Sequence, residues 1–125
     1  MAKKRILVVD DEPAMTRLIS LSLERAGCYE VRTENLALKA LDAAREFRPD
    51  LIMLDVIMPG MFGSEVAVRL AADPELCAIK YIFLTSMLSR EEALRSHGRI
   101  GGHTFIAKPF DGVELCQVIE DQLRQ

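Results

Sequence analysis

The stretch Leu51-Ile52-Met53-Leu54-Asp55 decides the fold. Four apolar residues in a row end on a carboxylate, and the turn residues Pro59, Gly60 and Gly63 follow soon after. A strand with one wet face alternates apolar and polar residues. An unbroken apolar run of this length is instead a strand covered on both faces, as in a parallel sheet. Two further runs read the same way: Arg5–Asp10 (RILVVD) and Lys80–Thr85 (KYIFLT). His103–Ala107 (HTFIA) is the fifth strand, and Tyr29–Thr33 is a shorter, alternating one.

Helical patterns fill the intervals. Pro13 suits the first turn of a helix whose apolar stripe is Met15, Leu18 and Ile19, and Gly27 ends it. Asn35 is expected to cap the next helix, in which Ala37, Ala40, Leu41, Ala44 and Phe47 keep the helical period before Pro49 closes it. A short helix runs from about Ser64 to Ala72. Ser89 and Glu92 have capping-box spacing for a helix reaching Gly98. That helix carries only Ala93 and Leu94 as clear apolar contacts, so loose anchoring is expected. Asp111 and Glu114 cap a last helix that buries Leu115, Val118, Ile119 and Leu123. Five strand–helix pairs in strict alternation make a parallel sheet with helices on both faces. The length, 125 residues, fits one domain over residues 1–125 and excludes a closed eight-stranded barrel.

Composition narrows the function. Half the residues are apolar and 28% are charged, which is globular. A net charge of −3 argues against a nucleic-acid surface, and Lys3-Lys4-Arg5 reads as a solvated strand entry. Ile6–Val9 is too short for a secretory signal, and no stretch is long enough to span a membrane. Cys28, Cys77 and Cys116 have neither zinc nor disulfide spacing, so free thiols in the cytoplasm are expected. His97 and His103 stand apart from any cysteine pair and are not read as metal ligands.

Ligands of an open parallel sheet bind at the carboxyl ends of its strands. The apolar runs stop there at Asp10 and Asp11, at Asp55, at Thr85 and at Lys108. Each alone has an ordinary structural explanation. Together they place three carboxylates, a hydroxyl and an ammonium on one edge. Convergent carboxylates call for a cation. A hard divalent ion fits oxygen ligands, so Mg²⁺ is expected, with Mn²⁺ as an alternative. Mg²⁺, a lysine and a hydroxyl can stabilise a phosphoryl group in transfer. Asp55, in the central strand, is then the nucleophile, and Asp10 and Asp11 hold the metal.

Four motifs in order, VVDDEP at Val8–Pro13, LDVIMPGMFG at Leu54–Gly63, FLTS at Phe83–Ser86 and FIAKPF at Phe105–Phe110, resemble the receiver domain of two-component response regulators. The resemblance covers nearly the whole chain. It implies a three-layer, flavodoxin-like (βα)₅ fold with strand order 2-1-3-4-5, Mg²⁺, and an aspartyl phosphate on Asp55. Asp10 and Asp11 would match the acidic metal pair, and the backbone carbonyl of Ile57 would complete the metal shell. Thr85 would bond a phosphoryl oxygen, Lys108 would pair with the phosphoryl group, and small Ser86 would leave it accessible. Phe105 would be the switch aromatic that turns inward with Thr85, and the Lys108–Pro109 bond is a candidate cis peptide. The partners implied are a sensor histidine kinase or histidine phosphotransfer protein and an output domain or target protein; a phosphorylation-dependent homodimer is compatible. The face of helix four, strand five and helix five would carry the signal. No turnover of an external substrate is expected.

Two apolar residues depart from the common pattern. Ile57 and Met87 lie two residues after Asp55 and Thr85, where they are expected to hinder the attacking water and prolong the phosphorylated state. Phe62 stands where the family often has Asp. Among other readings, a phosphorylation-silent receiver acting as a binding module conflicts with the intact set of five. A phosphatase of the haloacid-dehalogenase type needs an acid where Ile57 stands. A flavodoxin-like electron carrier conflicts with Asp10, Asp11 and Glu12, which would repel a flavin phosphate.

Overall fold

Alternation of side chains along the central strands divides the interior in two. Leu7, Val9, Ile52, Leu54 and Phe83 pack on one side of the sheet. Ile6, Val8, Leu51, Met53, Ile82 and Leu84 pack on the other. Both sets are buried, which is why the stretches 6–9, 51–54 and 82–84 carry no polar residue. A computed structural model describes residues 3–86, 99–100, 103–108 and 110–124. Its elements are β1 (Lys4–Val9), α1 (Pro13–Ala26), β2 (Tyr29–Glu34), a 3₁₀ turn (Ala37–Lys39), α2 (Ala40–Phe47), β3 (Leu51–Asp55), α3 (Gly63–Ala72), β4 (Lys80–Thr85), β5 (Arg99–Ile100), β6 (His103–Ala107) and α4 (Gly112–Leu123).

The strands lie in the order β2-β1-β3-β4-β6-β5. The five long strands are parallel and follow the expected order 2-1-3-4-5. The two-residue β5 is an addition that the sequence did not announce, paired antiparallel to β6. α2 and α3 cover one face through Ala40, Ala44, Phe47, Val66 and Leu70. α1 and α4 cover the other through Ile19, Leu23, Leu115 and Ile119.

The helix ends largely follow their sequence signals. Pro13 opens α1, and Gly27 closes it in the left-handed region at φ +85°. Asp111 caps α4, its carboxylate accepting from the Glu114 N–H at 2.7 Å. Asn35 is the correction: it caps no helix. Leu36 precedes the 3₁₀ turn without a side-chain cap. The Asn35 amide instead donates to the Asp10 carbonyl at 2.8 Å and to Thr16 Oγ1 at 3.1 Å. Asp10 and Thr16 are buried. A buried acceptor without a donor costs more than an exposed helix start, which water can serve. The expected helix Ser89–Gly98, Met87 and the Lys108–Pro109 bond lie outside the described residues.

Candidate functional site

The strand order reverses between β1 and β3, opening a crevice at their carboxyl ends. Asp10 follows β1 directly and is fully buried. Asp55 is the last residue of β3 and is also buried. Asp10, Asp11 and Asp55 each bring a carboxylate oxygen within 4.8 Å of the other two, the one such metal-capable cluster among the described residues.

Lys108 crosses this cluster from the far end of β6. Its Nζ donates to Asp10 Oδ2 at 2.7 Å and to Asp55 Oδ1 at 3.1 Å. Its backbone N–H donates to the Thr85 carbonyl at 2.8 Å, which fixes where the chain leaves β6. Thr85 ends β4 and is buried, opposite Ala107 in the parallel register. Sequence reading named this set, and the fold brings Asp10, Asp11, Asp55 and Lys108 into one cluster with Thr85 on the adjoining strand end.

The charges do not balance. Three carboxylates face one ammonium. Burial is the main reason that the Asp55 carboxyl is pushed up to about 6; Lys108 pulls it down, and Asp10 and Asp11 push it further up. Burial disfavours the Lys108 ammonium, but Asp10 and Asp55 more than offset that and hold it above the usual lysine range. An anionic, oxygen-rich cleft of this kind fits a hard divalent cation, with Asp10, Asp11 and Asp55 as the side chains able to hold it.

Neighbouring residues shape the mouth. The side chain of Ile57 is exposed, as are Phe62 and Ser86. Phe105 is half-buried and lies tilted against Phe83, with ring centroids 5.1 Å apart. Three supporting contacts escaped the sequence reading. The Glu12 N–H donates to Asp10 Oδ1 at 3.0 Å. Asn35 holds the Asp10 carbonyl. Gly63 lies so close to the Asp55 backbone that a Cβ there would sit 2.3 Å from the Asp55 carbonyl oxygen. The glycine was visible in sequence, but its reason was not.

Comparison with known proteins agrees with this geometry. The family model for the response regulator receiver domain matches residues 6–120. The chain is 34% identical over 121 residues to the DNA-binding dual master transcriptional regulator RpaA of Synechocystis sp., covering 97% of this chain and 49% of that protein. It is 35% identical over 122 residues to the polar-differentiation response regulator DivK of Brucella anthropi, covering 96% of each. Among solved structures, Vibrio cholerae chemotaxis protein CheY4 aligns with a TM-score of 0.81 at 29% identity, covering 97% of this chain and 99% of that one. A response regulator from Chloroflexus aurantiacus aligns with a TM-score of 0.82 at 27% identity, over 98% and 99% of the two chains. The chain belongs to the response regulator receiver domain family. It spans about half the length of several curated relatives it matches, at 49%, 52% and 54%.

Proposed function

We propose that the chain is a phospho-accepting receiver in which Asp55 takes a phosphoryl group from phosphohistidine on a sensor histidine kinase or a histidine phosphotransfer protein. The observation that carries this reading is the Lys108 ammonium bridging Asp10 and Asp55 inside a three-carboxylate cluster. Lys108 engages Asp55 Oδ1, and an oxygen of the Asp55 carboxylate attacks phosphorus. An O–P bond forms as the P–N bond to the donor imidazole breaks, and the electron pair leaves with the ring nitrogen. Asp10 and Asp11, with Asp55 and the carbonyl of Ile57, would hold Mg²⁺ or Mn²⁺, which supplies positive charge for the phosphoryl oxygens. Lys108 would pair with the phosphoryl group, Thr85 would donate its hydroxyl to a phosphoryl oxygen, and small Ser86 would leave the group accessible.

The switch reading rests on neighbouring strand ends. Thr85 moves toward the new charge and Phe105 follows, biasing the face that includes β6 and α4. Phe105 borders an apolar cavity of about 340 Å³ lined among the described residues by Val56, Ala67, Phe83 and His103, which gives the ring room to turn. The chain acts as one receiver domain, without turnover of an external substrate. An output domain or target protein reads its state in the cytoplasm, and a phosphorylation-dependent homodimer is compatible with this. No helix among the described residues is long and apolar enough to cross a membrane.

Incubation with a small phosphodonor and Mg²⁺, followed by mass mapping, tests the assignment. An acid-stable, base-labile phosphoryl adduct on Asp55 is expected; its absence would favour a silent binding module. The Ile57 side chain is exposed two residues from Asp55, and in this reading it would shield the acyl phosphate from water. Ile57→Asn is expected to shorten the phosphoryl lifetime several-fold, read by the decay of the adduct after donor removal. An unchanged decay would remove Ile57 from that role. Met87, assigned the same role from sequence, lies outside the described residues.

A further inference from the structure

The Asp10 peptide is held on both sides by the end of β2. Its N–H donates to the Glu34 carbonyl at 3.2 Å, and its carbonyl accepts from the Asn35 side-chain amide at 2.8 Å. The other Asn35 amide hydrogen reaches Thr16 Oγ1 at 3.1 Å. The Thr16 hydroxyl in turn donates to the Pro13 carbonyl at 3.1 Å. One side chain therefore ties together the exit of β1, the first turn of α1 and the exit of β2. The segment between these anchors contains Asp11 and the Glu12 N–H that orients Asp10 Oδ1.

The geometry points to Asn35 as a positioning residue for the acidic pair, setting the direction in which the chain leaves Asp10 and so where Asp11 presents its carboxylate. This rests on reading Asp10 and Asp11 as holders of a divalent cation. Three carboxylates repel one another and would spread apart unless the backbone beneath them is fixed. Hydrogen bonds behind metal ligands commonly set metal affinity by tenfold or more. Asn35 does so through a backbone carbonyl, with no contact to the ion. Its position borders an open groove lined by Pro13, Arg17, Ser20 and Thr33, so water can enter when the amide is removed and the fold survives.

The test compares the full chain with Asn35→Ala and with Asn35→Leu, which keeps the volume and loses both donors. Two quantities are measured: Mg²⁺ affinity by calorimetric titration, and amide exchange of Asp11 and Glu12 in Mg²⁺-free protein. Both variants are expected to bind Mg²⁺ about tenfold more weakly and to exchange faster at Glu12, with circular dichroism unchanged. Wild-type affinity and exchange in both variants would overturn the assignment. So would a lowered melting temperature with unchanged Mg²⁺ affinity, which marks a purely structural bond. Failure of the wild-type protein to bind Mg²⁺ would instead defeat the metal reading. Exchange at Glu12 would then decide alone whether Asn35 holds this loop.

Discussion

The two ends of the sheet use charge in opposite ways. At the amino end, charges serve as an exposed ion pair and as a partly buried helix-end contact. Arg5 pairs with Glu30 at 3.6 Å, their side chains 39% and 55% exposed, and its guanidinium lies over the Phe47 ring. Lys80 Nζ donates to the carbonyls of Gln122 and Leu123 at 3.1 and 3.2 Å, serving the open end of α4. At the carboxyl end, three carboxylates share one lysine, and Asp10 and Asp55 are buried. Balanced, wet pairs hold strands and helices in place at small net gain. A buried excess of one sign costs stability and persists where it serves a ligand. The contrast separates scaffold charge from site charge without reference to any motif.

The largest effect of the charge excess is expected at Asp55. Its folded carboxyl titrates at about 6 against an ordinary value of 3.8. The folded protein thus holds a proton that the unfolded chain has released. The stabilisation from that proton is complete below the ordinary value and is lost as pH rises through about 6. Metal-free protein should therefore lose up to about 3 kcal/mol between pH 4 and 7 from this group. Asp55→Asn should flatten that segment of the stability profile and raise metal-free stability at pH 7, measured by urea unfolding. A divalent cation competes with the proton, so the stabilisation by Mg²⁺ should grow as pH rises through 6. A variant less stable than wild type at pH 7 would contradict the buried charge excess.

A smaller effect is expected where β3 meets α3. Gly63→Ala forces a methyl group against the Asp55 carbonyl oxygen. Backbone must move there, at a cost of about 2 kcal/mol in urea unfolding, together with slower phosphorylation because Asp55, the proposed acceptor, shifts. Unchanged stability would mean that the close approach relaxes freely. The smallest effect belongs to the amino end. Lys80→Met should cost about 0.5–1 kcal/mol through the lost helix-end contact and leave the phosphorylation rate unchanged. A changed rate would show that the two ends are coupled rather than separate.

Much of this architecture is written locally. LIMLD, KYIFLT and HTFIA coincide with β3, β4 and β6; the need for two dry faces marks every residue of LIMLD, and the carboxyl-terminal residues of the other two runs. Asp111 and Glu114 lie three residues apart, so their cap is legible within one turn. Asn35 fitted the same local rule and broke it, because its partners, Asp10 and Thr16, are 25 and 19 residues away. The sequence by itself determined the five long strands, most helix limits and the polar residues at the strand ends, since propensity and periodicity act over short windows. Only the tertiary structure decided that Lys108 meets Asp10 and Asp55, across 98 and 53 residues of chain, and that the Asp10 peptide is clamped by β2. Those contacts follow from packing the whole sheet, and no local window of the sequence contains both partners.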